Sequence, residues 1–97
     1  MNDSIAASLL VAIVEHDAKG KFAMFLQDKR LEQYRRGEMS KEEYYCYANG
    51  HQSELNANVM TRCTLERIYE AYYGKLPDLS EYVEKFVEAY KKGYGWK

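Results

Sequence analysis

Apolar residues crowd the start of the chain. Ile5 to Val14 is broken only by Ser8, and the polar stripe of that segment, Ser4, Ser8 and Glu15, is narrow. This pattern predicts a first helix over Ile5 to Ala18, with Asp3 or Ser4 as N-cap and Gly20 as a left-handed C-cap. A helix apolar on most sides is surrounded by others or lies in an oligomer interface. Lys21 to Arg36 reads as a second helix. Phe22, Phe25 and Leu26 share one face of it, and Met24, Leu31 and Tyr34 lie nearly opposite. Such a segment is either one helix gripped from two sides, the reading favoured, or a helix that breaks near Asp28 and restarts.

Gly37 punctuates the chain, and a capping box follows. In Ser40-Lys41-Glu42-Glu43 the hydroxyl can accept the Glu43 amide while the carboxylate returns to the amide of Ser40. Met39 and Tyr44 hold the hydrophobic-staple positions. A helix therefore starts at Lys41. Asn49-Gly50 would ordinarily stop it, yet apolar positions resume at once. Leu55, Val59 and Cys63 form one stripe, and Leu65, Ile68, Tyr69 and Tyr72 a rotated one. The pattern predicts a helix over Ser53 to Tyr73 that changes packing partner midway, or one long helix, straight or kinked, fused through Gly50 back to Lys41. Gly74 ends it. Pro77 and Asp78 open the last helix, with Asp78 and Glu81 in capping-box spacing. Leu79, Tyr82, Val83, Phe86, Val87 and Tyr90 form its apolar stripe, and Glu81–Lys85 and Glu88–Lys92 are favourable i,i+4 pairs. Gly93 closes it.

With helical periodicity throughout and no strand-like alternation of useful length, the expected fold is all-α. It is a compact bundle of four to five helices with a long helix in mid-chain, forming a single helical domain over residues 1–97. The apolar fraction of 46% suits a folded globule. Fourteen basic residues nearly cancel fifteen acidic ones, so no global field draws the chain to nucleic acid or an anionic membrane. Ile5–Val14 is too short to span a bilayer and lacks the basic flank of a signal peptide. Two cysteines make no secreted disulfide framework. The expected location is the cytoplasm.

Candidate chemistry is sparse. His16 lies between Glu15 and Asp17, but adjacent residues do not share a helix face, so neither carboxylate is placed to orient the imidazole. Cys46, His51 and Cys63 lack the closely spaced pair and fourth ligand of a structural zinc site; the cysteines read better as small core residues. Glycine-rich phosphate loops and the E-x-x-H pairs of di-iron bundles are missing. The expectation is a protein without catalytic residues, cofactor or metal.

Two features point to partners. Lys29, Arg30, Arg35 and Arg36 flank Tyr34, a segment that could grip a nucleic-acid backbone or a nucleotide and stack a base. Asp28, Glu32 and Glu38 interrupt it, which favours a solvated helix face. Ten tyrosines in 97 residues are many. Tyr44, Tyr45 and Tyr47 crowd one helix start, and Tyr69, Tyr72 and Tyr73 one helix end. Consecutive tyrosines point apart, so some are exposed or at an interface. Tyr45 and Tyr73 are taken as contact candidates, with Trp96, the one tryptophan, a residue type rich in hot spots. The reading favoured is a small non-enzymatic protein that works by protein–protein contact, as inhibitor, adaptor or regulator, with a homodimer or larger assembly expected through the first helix. Small phage and plasmid proteins directed at host machinery have this general make-up. A nucleic-acid- or nucleotide-binding module using Lys29–Arg36 is the alternative.

Overall fold

The computed structural model describes residues 3–95. It contains three helices, α1 (Asp3–Arg35), α2 (Lys41–Tyr73) and α3 (Ser80–Gly93), and no strand among the described residues. The expected four- to five-helix bundle is therefore corrected to three helices. The two segments separated at Gly20 are one helix, and the long mid-chain helix fused through Gly50 from Lys41 is present as α2.

The physical reasons differ at the two glycines. Gly20 caps nothing: it is buried inside α1, where a Cβ would meet Leu55 Cδ1 at 3.5 Å and Asn58 Cβ and Val59 Cγ2 at 3.9 Å. Contact with α2 occupies the side of the helix where a glycine would otherwise expose backbone to water. Ion pairs Lys19–Glu15 (3.1 Å) and Lys21–Asp17 (3.8 Å) brace the turn below it. Gly50 is exposed, with nothing within 4 Å of a Cβ, and the helix runs through it at the modest cost of its low propensity.

The true stop is Gly37. Its φ of 76° is one that L side chains rarely adopt. The amide of Gly37 bonds Tyr34 O (3.0 Å) and that of Glu38 bonds Gln33 O (2.9 Å), the paired bonds of a Schellman ending. The capping box follows as the sequence predicts: Glu43 N donates to Ser40 Oγ (3.1 Å) and Ser40 N to Glu43 Oε1 (3.2 Å). The start of α3 departs from expectation. Asp78 accepts from the amide (3.0 Å) and hydroxyl (2.7 Å) of Ser80, not across to Glu81, and helix begins at Ser80. Glu81 pairs with Lys85 (3.4 Å), but Glu88 pairs with Lys91 (3.4 Å) instead of Lys92.

α2 returns antiparallel along α1, and α3 runs parallel to α1 on another side, from Val14 at its start to Phe22 at its end. Both lean on α1, with no comparable helix–helix contact between α2 and α3 among the described residues. The expected double grip on residues 21–36 is present only in part: Ala23 and Leu26 are buried and Phe22 meets Tyr90 at 5.8 Å, but Met24, on the face expected to be held from the other side, is 52% exposed. The expected change of partner along α2 does not occur. Its seam follows a seven-residue repeat through Tyr44, Ala48, His51, Leu55, Asn58, Arg62, Leu65 and Tyr69, all half-buried or buried, and Ile68 and Tyr72 face outward. The molecule is elongated, 54 × 24 × 16 Å. Its buried apolar side chains, among the described residues, are Ile13, Val14, Ala18, Ala23, Leu26 and Val83. Cys63 is half-buried, but Cys46 is exposed on the outer face of α2, not in the core. No helix among the described residues is long and apolar enough to cross a membrane.

Candidate functional site

The basic segment lies at the tip of the α1–α2 hairpin, and most of its charge is committed within the chain. Lys29 pairs with Glu32 (3.5 Å) and lies over the Phe25 ring (5.4 Å). Arg30 donates to Gln33 Oε1 (3.1 Å) and stacks its guanidinium 4.0 Å over the Tyr47 ring. Arg36 pairs with Glu38, and Arg35 is exposed in the last turn of α1. Between residues 28 and 43 five cations stand against five carboxylates, so the tip has no net field to collect an anionic backbone. Tyr34, meant to stack a base, is stacked on Tyr44 (centroids 4.9 Å, planes 13° apart).

The other contact candidates separate. Tyr45 is exposed beside Tyr44, with Lys41 5.7 Å from its ring. Tyr73 is half-buried against Tyr69 (5.2 Å), and its hydroxyl is buried with no hydrogen-bond partner among the described residues. Trp96 lies outside the described residues. Among the described residues no three His, Cys, Asp or Glu side chains are placed to hold a metal ion. His16 is instead a seam residue, its Nδ1 2.8 Å from Asn58 Oδ1. His51 is buried in the same seam and stacks on Tyr47 (6.2 Å).

An apolar concave surface lies elsewhere. A groove of about 340 Å³ runs between α1 and α3, lined by Leu10, Val11, Val14, Leu79, Tyr82 and Phe86, with no charged residue in its wall. Val14 joins the groove to the buried cluster it forms with Ala18 and Val83, and Phe86 and Leu79 are half-buried around that cluster. Val11 and Tyr82 are its lips, 57% and 56% exposed. The sequence reading put Leu79, Tyr82 and Phe86 in one buried stripe and so missed the groove. The signal was present: the first helix carries apolar residues on more sides than its neighbours cover. A second cleft of about 460 Å³ lies where the three helices meet and is polar as well as aromatic, lined by Lys19, Phe22, Glu54, Asn58, Tyr90 and Tyr94 among others. Burial there pushes the Tyr90 phenol above its ordinary range.

Compared with known proteins, the chain matches no family model, no curated protein and no solved structure.

Proposed function

We propose that the protein acts by binding another protein, seating an amphipathic helix of that partner in the α1–α3 groove, without chemistry of its own. The observation that carries this is the uncharged groove wall with Val11 and Tyr82 exposed at its lips. Two parallel helices with an open apolar furrow offer the surface that an amphipathic helix fills with i, i+3, i+4 and i+7 anchors. Inhibitor, adaptor and regulator all work in this way. Self-association is the other use of such a face, since Ile5 and Val11, each more than half exposed, lie on the same helix. The nucleic-acid reading is weaker because Lys29, Arg30 and Arg36 already have intramolecular partners.

The test uses the full chain as bait in lysate of its source cell. Wild type should hold a protein in 1 M salt, where the Debye length is about 3 Å. Val11→Lys with Tyr82→Lys should lose it while circular dichroism stays helical, and Arg35→Glu with Arg36→Glu should keep it. Capture of nucleic acid instead, abolished by salt and by the two arginine changes, would reverse the assignment. A dimer by light scattering that dissociates on Val11→Lys would assign the groove to a second copy.

A further inference from the structure

The seam between α1 and α2 is polar for a helix interface. His16 bonds Asn58 across it (2.8 Å), and Gln27 Nε2 bonds Gln52 Oε1 (2.8 Å), which in turn donates through Nε2 to Asn56 (3.0 Å). His51 is built differently. It is 8% exposed, and its Nε2 is buried with no hydrogen-bond partner among the described residues. Its ring lies along Tyr47 (planes 17° apart), and the face of Tyr47 also carries the Arg30 guanidinium at 4.0 Å.

We propose that His51 is an acid-sensitive latch on the α1–α2 hairpin: neutral, it lets the seam close; protonated, it opens the seam around Ala23–Arg30 and Ala48–Leu55. The geometry supplies the reason. Whichever nitrogen takes the proton, the imidazolium carries an N–H at Nε2, where the charged ring is buried with no acceptor among the described residues. The charged groups around the ring are Glu54 on α2, which favours the charge, and Arg30 on α1, which opposes it; Tyr47 offers a ring face. Burial outweighs the Glu54 attraction, and the imidazole is held below the ordinary histidine range. The unfolded chain therefore takes up the proton more readily than the folded one. Stability is complete above the unfolded value near 6.5 and is lost as pH falls below it. One proton taken up on opening changes the equilibrium by at most about tenfold per pH unit.

Two measurements on the full chain decide it. Urea unfolding at pH 7.5, 6.5, 5.5 and 4.5 should show the unfolding constant of wild type rising as pH falls. His51→Gln, of similar size and unable to titrate, should flatten that rise in the interval just below 6.5, and His16→Gln should leave the His51 contribution in place. An NMR titration of the His51 ring in wild type requires no variant to fold: it should show a midpoint below 6.5. Hydrogen exchange, corrected for its intrinsic pH dependence, should lose protection first around Ala48–Leu55. A His51 midpoint at or above 6.5, or an acid response undiminished in His51→Gln, overturns the latch.

Discussion

A methyl group on Gly20 meets Leu55 Cδ1 at 3.5 Å, an ordinary van der Waals distance, and the next atoms lie at 3.9 Å. The site accepts an alanine and nothing much larger. Since glycine costs a helix interior about 1 kcal/mol relative to alanine, Gly20→Ala should stabilise the protein by up to about that amount. A gain of this size shifts the melting temperature of a domain this long by roughly 4–8 °C, readable by circular dichroism. Gly20→Leu should instead lower it, by forcing the two helices apart. A loss of stability on Gly20→Ala would mean that the helices pack too tightly there for a Cβ. From sequence, Gly20 read as a terminator because glycine after an apolar run usually is one; its contact with Leu55 and Val59, far along the chain on α2, cannot be seen in a local window. Val83 and Phe86 teach the same lesson in reverse. Both belong to the expected apolar stripe of the last helix, but Val83 is 2% exposed while Phe86 stays half-open on the groove. Periodicity assigns a face; which part of the face finds a cover depends on α1.

At the scale of elements, helix content and the hairpin turn were legible because their causes are local. Ser40, Glu43 and Gly37 act within five residues of themselves. Ser40→Ala should therefore cost about 0.5–2 kcal/mol, the range for losing a side-chain N-cap, through the lost bond to Glu43 N (3.1 Å). Ser40→Asp should retain most of the stability, which urea denaturation of the three proteins would show. If Ser40→Ala is neutral, stacking of Tyr34 on Tyr44 sets the start of α2 without the cap. The number of helices and their pairing were not legible. The α2 seam includes His51, Asn58 and Arg62, and its α1 counterpart includes His16, Gln27 and Arg30. A reading that looks for apolar stripes skips these polar positions, so one continuous seven-residue repeat looks like two rotated stripes. Polar residues enter the seam because each finds a partner across it or along it, and such pairing depends on the other helix.

For the whole molecule, the consequence of an elongated 54 Å body is uneven support. α1 and α2 share a seam nearly the length of both helices, whereas α3 has fourteen residues and rests on α1. Its anchor is one cluster, Val83 on Val14 and Ala18, with Leu79, Phe86, Val87 and Tyr90 half-buried around it. Two further contacts hold its far end, Lys91 over the Phe25 ring (4.5 Å) and Tyr94 edge-on to Phe22 (5.1 Å). The first turn adds the Asp78 carboxylate, which its bonds from Ser80 hold below the usual carboxylate range. Elements with few buried contacts open at lower free energy than the global transition. Native-state hydrogen exchange should therefore show the amides of Val83–Tyr90 exchanging through a sub-global opening, while those near Ala23 and Leu26 follow global unfolding. Uniform protection across all three helices would show that α3 folds as one unit with the hairpin. The same experiment reads out the groove, because Leu79, Tyr82 and Phe86 line one wall of it from α3. A helix seated there supplies the cover α3 lacks, so adding the captured partner should slow exchange at Val83–Tyr90 more than at Leu26. If protection rises instead at the hairpin tip, around Arg35 and Tyr45, the partner sits on the basic segment and the groove is not its seat.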